Sequence, residues 1–310
     1  MKQVLLVGSG GVGTMAAFAL DACGHVAVTT VVRSDYDTVL SRGYQIESPV
    51  CRGPYDFVVI STKNTPDILR LEDLVATVVS PNTVVVLLQN GIDIEKAFFE
   101  KFPTNIVLSG VSMISSTNYG GVIDHVGHDA LIVGYFPNPN VDSEAQKAAA
   151  LEFVGYYKND KNTCVYDENV RFTRWRKLVY NATLNPVCAL TNVDVGRLDL
   201  FGGVDSLVRG AMREVLAIAK ADGVDLPESI MEDMIRSDDG VYYAPSMLVD
   251  IRKQNYIELE VICGNPVRIA RELKVEAPLL TIIYNLLSVV QKRTMEEKGK
   301  IVVPEKRPIP

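Results

Sequence analysis

The chain has 310 residues, 47% hydrophobic and 22% charged, enough apolar material for about two globular domains. Its net charge of −7 argues against a nucleic-acid or anionic-membrane partner, and no stretch offers the roughly 18 uninterrupted apolar residues of a membrane span. Five scattered cysteines (Cys23, Cys51, Cys164, Cys188, Cys263) without a CxxC pair suit a reducing compartment, so a cytoplasmic protein without a signal peptide is expected.

In chain order, residues 4–7 form a short apolar run, followed at once by Gly8-Ser9-Gly10-Gly11-Val12-Gly13. Residues 15–22 read as a helix ended by Gly24, and 26–32 as a second strand, giving a strand–turn–helix–strand unit. Further strands are predicted at 57–61, 83–88, 106–111, 131–135 and 163–166, with helices at 66–79 and 94–102. Pro137-Asn138-Pro139-Asn140 is a turn cluster, and a helix capped by Ser143 should cover 143–157. After Asp167 helical patterns take over, at 170–190, 206–222, 229–235, 256–273 and 278–297. The segment 302–310, with three prolines, reads as a loose end.

Gly8, Gly10 and Gly13 make G-x-G-x-x-G between a strand and a helix. The first glycine permits a tight turn, the second lets backbone approach a pyrophosphate, and the third lets helix and strand pack closely. Anion binding at the helix N-terminus would then involve Gly8, Ser9, Gly10, Gly11, Val12 and Gly13. The fold expected is α/β: an N-terminal Rossmann-type dinucleotide-binding domain (1–167) and a C-terminal all-helical domain (168–310). At the end of the second strand stand Arg33 and Ser34, where an NAD site usually carries an acid. The planar fork of Arg33 suits a 2′-phosphate, so NADP(H) is favoured. A solvated loop arginine is the plainer reading, and Asp35 and Asp37 stand close by.

Lys177, Asn181 and Asn185 recur every four residues among Leu178, Val179, Tyr180 and Leu184, which places them on one stripe of a largely buried helix. One amine and two carboxamides on such a stripe call for a polar neighbour, and a substrate would serve. The plain alternative for Lys177 is a snorkelling or paired lysine. Arg171, Arg174 and Arg176 stand where they could serve a substrate anion, but the plainer reading is a solvated face of the same helix. His125 and His128 form H-x-x-H, but strand geometry points them to opposite faces and no third ligand stands nearby, so no metal is expected.

Several motifs in register resemble the 2-dehydropantoate 2-reductases (ketopantoate reductases). They are the glycine loop, residues 56–63 ending in Lys63, Gln89-Asn90-Gly91, the segment from Gly120 to Gly134, Trp175-x-Lys177-Leu178-x-x-Asn181-x-x-x-Asn185-Pro186, and Pro245-Ser246-Met247-Leu248-x-Asp250 with Glu258 beyond it. The resemblance covers nearly the whole chain. It implies NADPH-dependent reduction of 2-dehydropantoate to (R)-pantoate, a step of pantothenate biosynthesis. By the same resemblance Lys177 is the general acid. Asn90, Asn181, Asn185, Ser246 and Glu258 contact the substrate, and Lys63 and Asn90 lie by the cofactor. The chain departs from the family pattern in the short connection from Arg33 to Asp56 and in Val195, where some members carry Asn.

Two other readings are a related reductase of another 2-keto acid or imine, and a non-catalytic NADP-binding regulator. The set Lys177, Asn181, Asn185 and Glu258 argues against the regulator, because a sensor needs no proton donor. The apolar terminal helix leaves a homodimer open.

Overall fold

The computed structural model describes residues 1–31, 55–119 and 122–307. The chain divides into two compact units, Met1–Thr173 and Arg174–Pro310.

The first unit runs β1 (Lys2–Val7), α1 (Gly11–Ala22), β2 (Val26–Val31), β3 (Phe57–Ile60), α2 (Leu71–Leu74), β4 (Val84–Leu87), α3 (Lys96–Lys101), β5 (Val107–Tyr119), β6 (Val122–Tyr135), α4 (Ser143–Tyr157) and β7 (Asn162–Tyr166). These strands form one sheet in the order β2-β1-β3-β4-β5-β6-β7. The first five in that order are parallel, β6 is antiparallel to β5, and β7 is parallel to β6. Strands β1, β3 and β4 are almost entirely Val, Leu, Ile and Phe, because a parallel sheet is covered on both faces. Val4, Leu6, Phe57, Val59 and Val86 pack against Ala16, Ala19 and Leu20 of α1 and Phe153 and Tyr157 of α4. Leu5, Val58, Ile60, Val85 and Leu87 are equally buried. The rings of Phe57 and Phe153 lie 5.7 Å apart.

Three local expectations for this unit change. The helix expected over 66–79 contracts to α2, because Val75, Thr77, Val78 and Val79 are β-branched and lose side-chain freedom in a helix. The strands expected at 106–111 and 131–135 grow into a long ribbon, with a register shift between Met113 and Ser115. Polar Ser112, Ser115, Ser116 and Thr117 hide that extension from an apolar pattern search. Helix α4 is capped by Asp142, whose carboxylate accepts the Ala145 N–H at 2.9 Å, and not by Ser143. In the turn cluster, the Asn138 amide donates to the carbonyls of Pro103 and Asn105 at 2.9 and 3.1 Å, fixing the loop before α4.

The helix α5 (Val170–Asn181) leads into the second unit. There follow α6 (Leu184–Thr191), α7 (Val195–Leu200), a π turn (Val204–Val208) feeding α8 (Arg209–Ala221), α9 (Ile230–Arg236), α10 (Ser246–Arg252), a second π turn (Glu260–Gly264) feeding α11 (Asn265–Glu272), and α12 (Pro278–Glu297). The single helix expected over 170–190 is therefore two. Pro186 has no N–H to offer the Ala182 carbonyl, and its ring crowds that carbonyl, so the helix stops at Asn181 and restarts at Leu184. The helix expected over 256–273 starts late, because the side chain of Gln291 on α12 bonds both the N–H and the C=O of Ile257, each at 3.1 Å. Those two bonds hold the backbone beside Glu258 outside the helix. Among the described residues no helix is long and apolar enough to cross a membrane.

Helix α5 is fastened by Trp175, which is fully buried and donates its indole N–H to Asp222 at the end of α8, at 2.7 Å. A hydrogen bond to a charged acceptor contributes about 2 kcal/mol. Trp175→Phe should therefore lower the urea unfolding free energy by about that amount; an unchanged midpoint and slope would contradict this role for the bond.

Candidate active site

The glycine loop joins the end of β1 to α1. Gly8 has φ +113°, where a side chain is strained, and its carbonyl accepts the Ser61 hydroxyl at 3.2 Å. A Cβ on Gly13 would collide with the Gly8 carbonyl, and one on Gly11 with the Ser116 backbone. Gly10 differs: a Cβ there would meet nothing within 4 Å. Helix α1 starts at that open side with no side-chain cap and no acid in its first turn, so its leading N–H groups, at Gly11, Val12 and Gly13, are available to an anion. Ser9 lies in the loop, its carbonyl accepting the Thr14 hydroxyl at 3.3 Å. Crowded glycines beneath an open one fit the pyrophosphate of a dinucleotide.

Lys63 follows β3 and Asn90 follows β4, so both stand at the carboxyl edge of the parallel strands, the edge that carries Gly8. The β1/β3 neighbours mark the point where strand order reverses, the usual place for a ligand in an open α/β sheet. Gln89 donates to the Thr62 carbonyl at 2.7 Å and accepts from Asn64 at 3.3 Å, tying the two strand ends together. Arg33 and Ser34 lie outside the described residues.

In the second unit, Lys177 and Asn181 lie one turn apart on α5. Asn185 does not continue their helix, as a single stripe required; it sits in the first turn of α6 after the break. Its carboxamide is fully engaged with α10: the amide donates to Ser246 Oγ at 3.0 Å, and the oxygen accepts the Met247 N–H at 2.8 Å. Asn185 thus caps α10 and fixes Ser246. Asn181 is nine-tenths buried, and its carboxamide makes no side-chain hydrogen bond among the described residues. Tyr180, next to it, donates its hydroxyl to Asp238 at 2.6 Å, which ties α5 to the loop leading to α10. Glu258, 4% exposed, follows the Ile257 backbone held by Gln291.

Lys177 is partly buried, and its amine pKa is lowered to about 8. Burial is the largest cause, repulsion by Arg174 the second, and the attraction of Glu258 acts the other way. Arg174 is the residue the sequence pattern misassigned. It is 4% exposed rather than on a solvated face. Arg171 does meet that expectation in part, pairing with Asp93 at 3.2 Å. A signal for Arg174 existed: it falls three residues before Lys177, on the same side of the helix. Of the two histidines, His128 shares a hydrogen bond with Thr163 at 2.7 Å, and no metal-holding cluster occurs among the described residues.

The two kinds of glycine make separable predictions. Gly13→Ala should unfold the loop and lower Tm sharply. Gly10→Ala should keep the wild-type Tm and weaken dinucleotide binding, read by fluorescence titration. Equal behaviour of the two variants would contradict the geometry.

Residues 4–138 match the family model for ketopantoate reductase PanE/ApbA, and residues 169–291 match the model for its C-terminal part. The chain is similar to the uncharacterised protein YDL144C of Saccharomyces cerevisiae, at 36% identity over 352 residues, covering 99% of this chain and 98% of that protein. Among solved structures, 2-dehydropantoate 2-reductase from Methylococcus capsulatus is 32% identical with a TM-score of 0.76, covering 94% of this chain and 97% of that one. A D-mandelate dehydrogenase solved with NADH and anilino(oxo)acetate shares the fold, with a TM-score of 0.78 at 18% identity over 95% of this chain and 99% of that one. The chain belongs to the ketopantoate reductase family, a family of oxidoreductases that act on a CH–OH group with a nicotinamide dinucleotide.

Proposed function

We propose that this protein reduces a 2-keto acid with NADPH, that 2-dehydropantoate is its substrate, and that Lys177 is the proton donor. The observation that carries this reading is the Lys177 amine, held near pKa 8 by burial and Arg174 in a chain of this family. Adding hydride to a ketone builds negative charge on the carbonyl oxygen, and a positioned acid must neutralise it as it grows. A bound nicotinamide supplies the hydride to C2. Lys177, an ammonium at neutral pH, gives its proton to the carbonyl oxygen and is left as a neutral amine. A pKa close to the working pH suits it both to carry the proton and to release it.

The other residues bind and orient. The unengaged Asn181 carboxamide offers donors and an acceptor to the substrate. Ser246 Oγ accepts from Asn185, which directs its own O–H outward to a substrate carboxylate. Glu258 takes a substrate hydroxyl or favours reprotonation of Lys177. On the first unit, residues 8–13 would hold the pyrophosphate, Arg33 the 2′-phosphate, and Lys63 and Asn90 the nicotinamide half of the dinucleotide. Val195 favours a second reading, a different 2-keto acid: it is a buried apolar side chain where some family members carry Asn.

NADPH oxidation should follow addition of 2-dehydropantoate, and more weakly that of other branched 2-keto acids, with NADH a poorer donor. Lys177→Ala should lose about 10²- to 10⁴-fold in kcat/KM with the fold intact. Asn181→Ala should raise KM more than it lowers kcat. Full activity in Lys177→Ala would remove the lysine from the chemistry, and dinucleotide binding without turnover on any keto acid would favour a regulatory protein.

A further inference from the structure

Arg174 lies three residues before Lys177 on α5, so the two side chains share one face with their Cβ atoms about 5–6 Å apart. Its guanidinium stays charged at any pH the protein meets. With 4% of its surface exposed, Arg174 cannot dissipate that charge into water as a surface arginine does. Among the charged groups acting on Lys177 are Arg174 from its own helix and Glu258 from the segment just before the second π turn. Arg174 opposes the ammonium form of Lys177; Glu258 supports it.

We propose that Arg174 is a positioning residue for the proton transfer described above: its buried guanidinium destabilises the Lys177 ammonium and so prepares that group to give up its proton. This rests on the reading of Lys177 as the proton donor. Burial does most to weaken the hold of the amine on its proton; Arg174 weakens it further and Glu258 opposes both. Together they leave the amine charged at neutral pH and ready to transfer. The arginine acts only through Lys177 and makes no contact with the substrate in this account. Its removal should therefore lower kcat near neutral pH and leave KM for the keto acid nearly unchanged.

The test reads the proton affinity of Lys177 apart from catalysis. Trace acetylation of the intact protein with acetic anhydride is followed across pH by mass spectrometry of the peptide that carries Lys177. In the wild type the labelling midpoint should fall near the value of about 8. In Arg174→Gln it should rise by about 1 in pH, and the alkaline limb of kcat/KM for reduction should rise with it. Arg174→Lys, which keeps the charge, should restore the wild-type midpoint. Arg174→Met, apolar and of similar length, supplies the measurement should the Gln variant fail to fold. An arginine with a purely structural role would lower Tm and leave the midpoint in place, and an unmoved midpoint in the folded variants overturns the proposal. A midpoint that moves while the activity limb stays fixed upholds the Arg174–Lys177 coupling and shows instead that Lys177 is not the proton donor.

Discussion

Two positive charges on one helix, the buried Arg174 and the partly buried Lys177, are the constraint around which the second unit is organised. Withdrawing a charge from water is costly, and a neighbour of like sign raises the cost. A surface helix would let both side chains swing outward. Here α5 is pinned so that they cannot: Trp175 bonds to Asp222 at the end of α8, and Tyr180 bonds to Asp238 in the loop before α10. The countercharge, Glu258, has its backbone neighbour Ile257 gripped on both polar groups by Gln291 of α12. Stability contributed by these fastenings offsets what the charges withdraw, the usual exchange at a functional site.

The glycine loop of the first unit works by a related division. Gly8 and Gly13 are glycines because the chain needs their lack of a side chain to fold, whereas Gly10 has room to spare. Only the open position is explained by something that approaches from outside. The leading N–H groups of α1, lacking a side-chain cap, supply the matching polarity. The α/β sheet makes this geometry recur wherever a tight turn follows a buried parallel strand.

Much of this was legible in the residues. The G-x-G-x-x-G spacing located the loop, because the steric demands on each glycine are local. The apolar runs located β1, β3 and β4, because parallel strands are buried on both sides. What local pattern hid was set by tertiary contacts. The four-residue spacing of Lys177, Asn181 and Asn185 read as one helix, yet Pro186 divides it and makes Asn185 a cap for α10. The polar half of β5 pairs with β6 and has no apolar signature. Arg174 looked like surface because arginines usually are; its burial depends on what packs over α5, which spacing cannot report.

The central claim is that Lys177 carries the proton in both directions of the reaction, and a pair of pH profiles tests it most directly. Reduction needs the ammonium, and oxidation of the hydroxy acid needs the neutral amine. The account predicts kcat/KM for reduction falling, and for oxidation rising, through a common midpoint near pH 8, set by the lowered amine pKa. Profiles that run in the same direction, or that keep their midpoint in residual activity of Lys177→Ala, would contradict it.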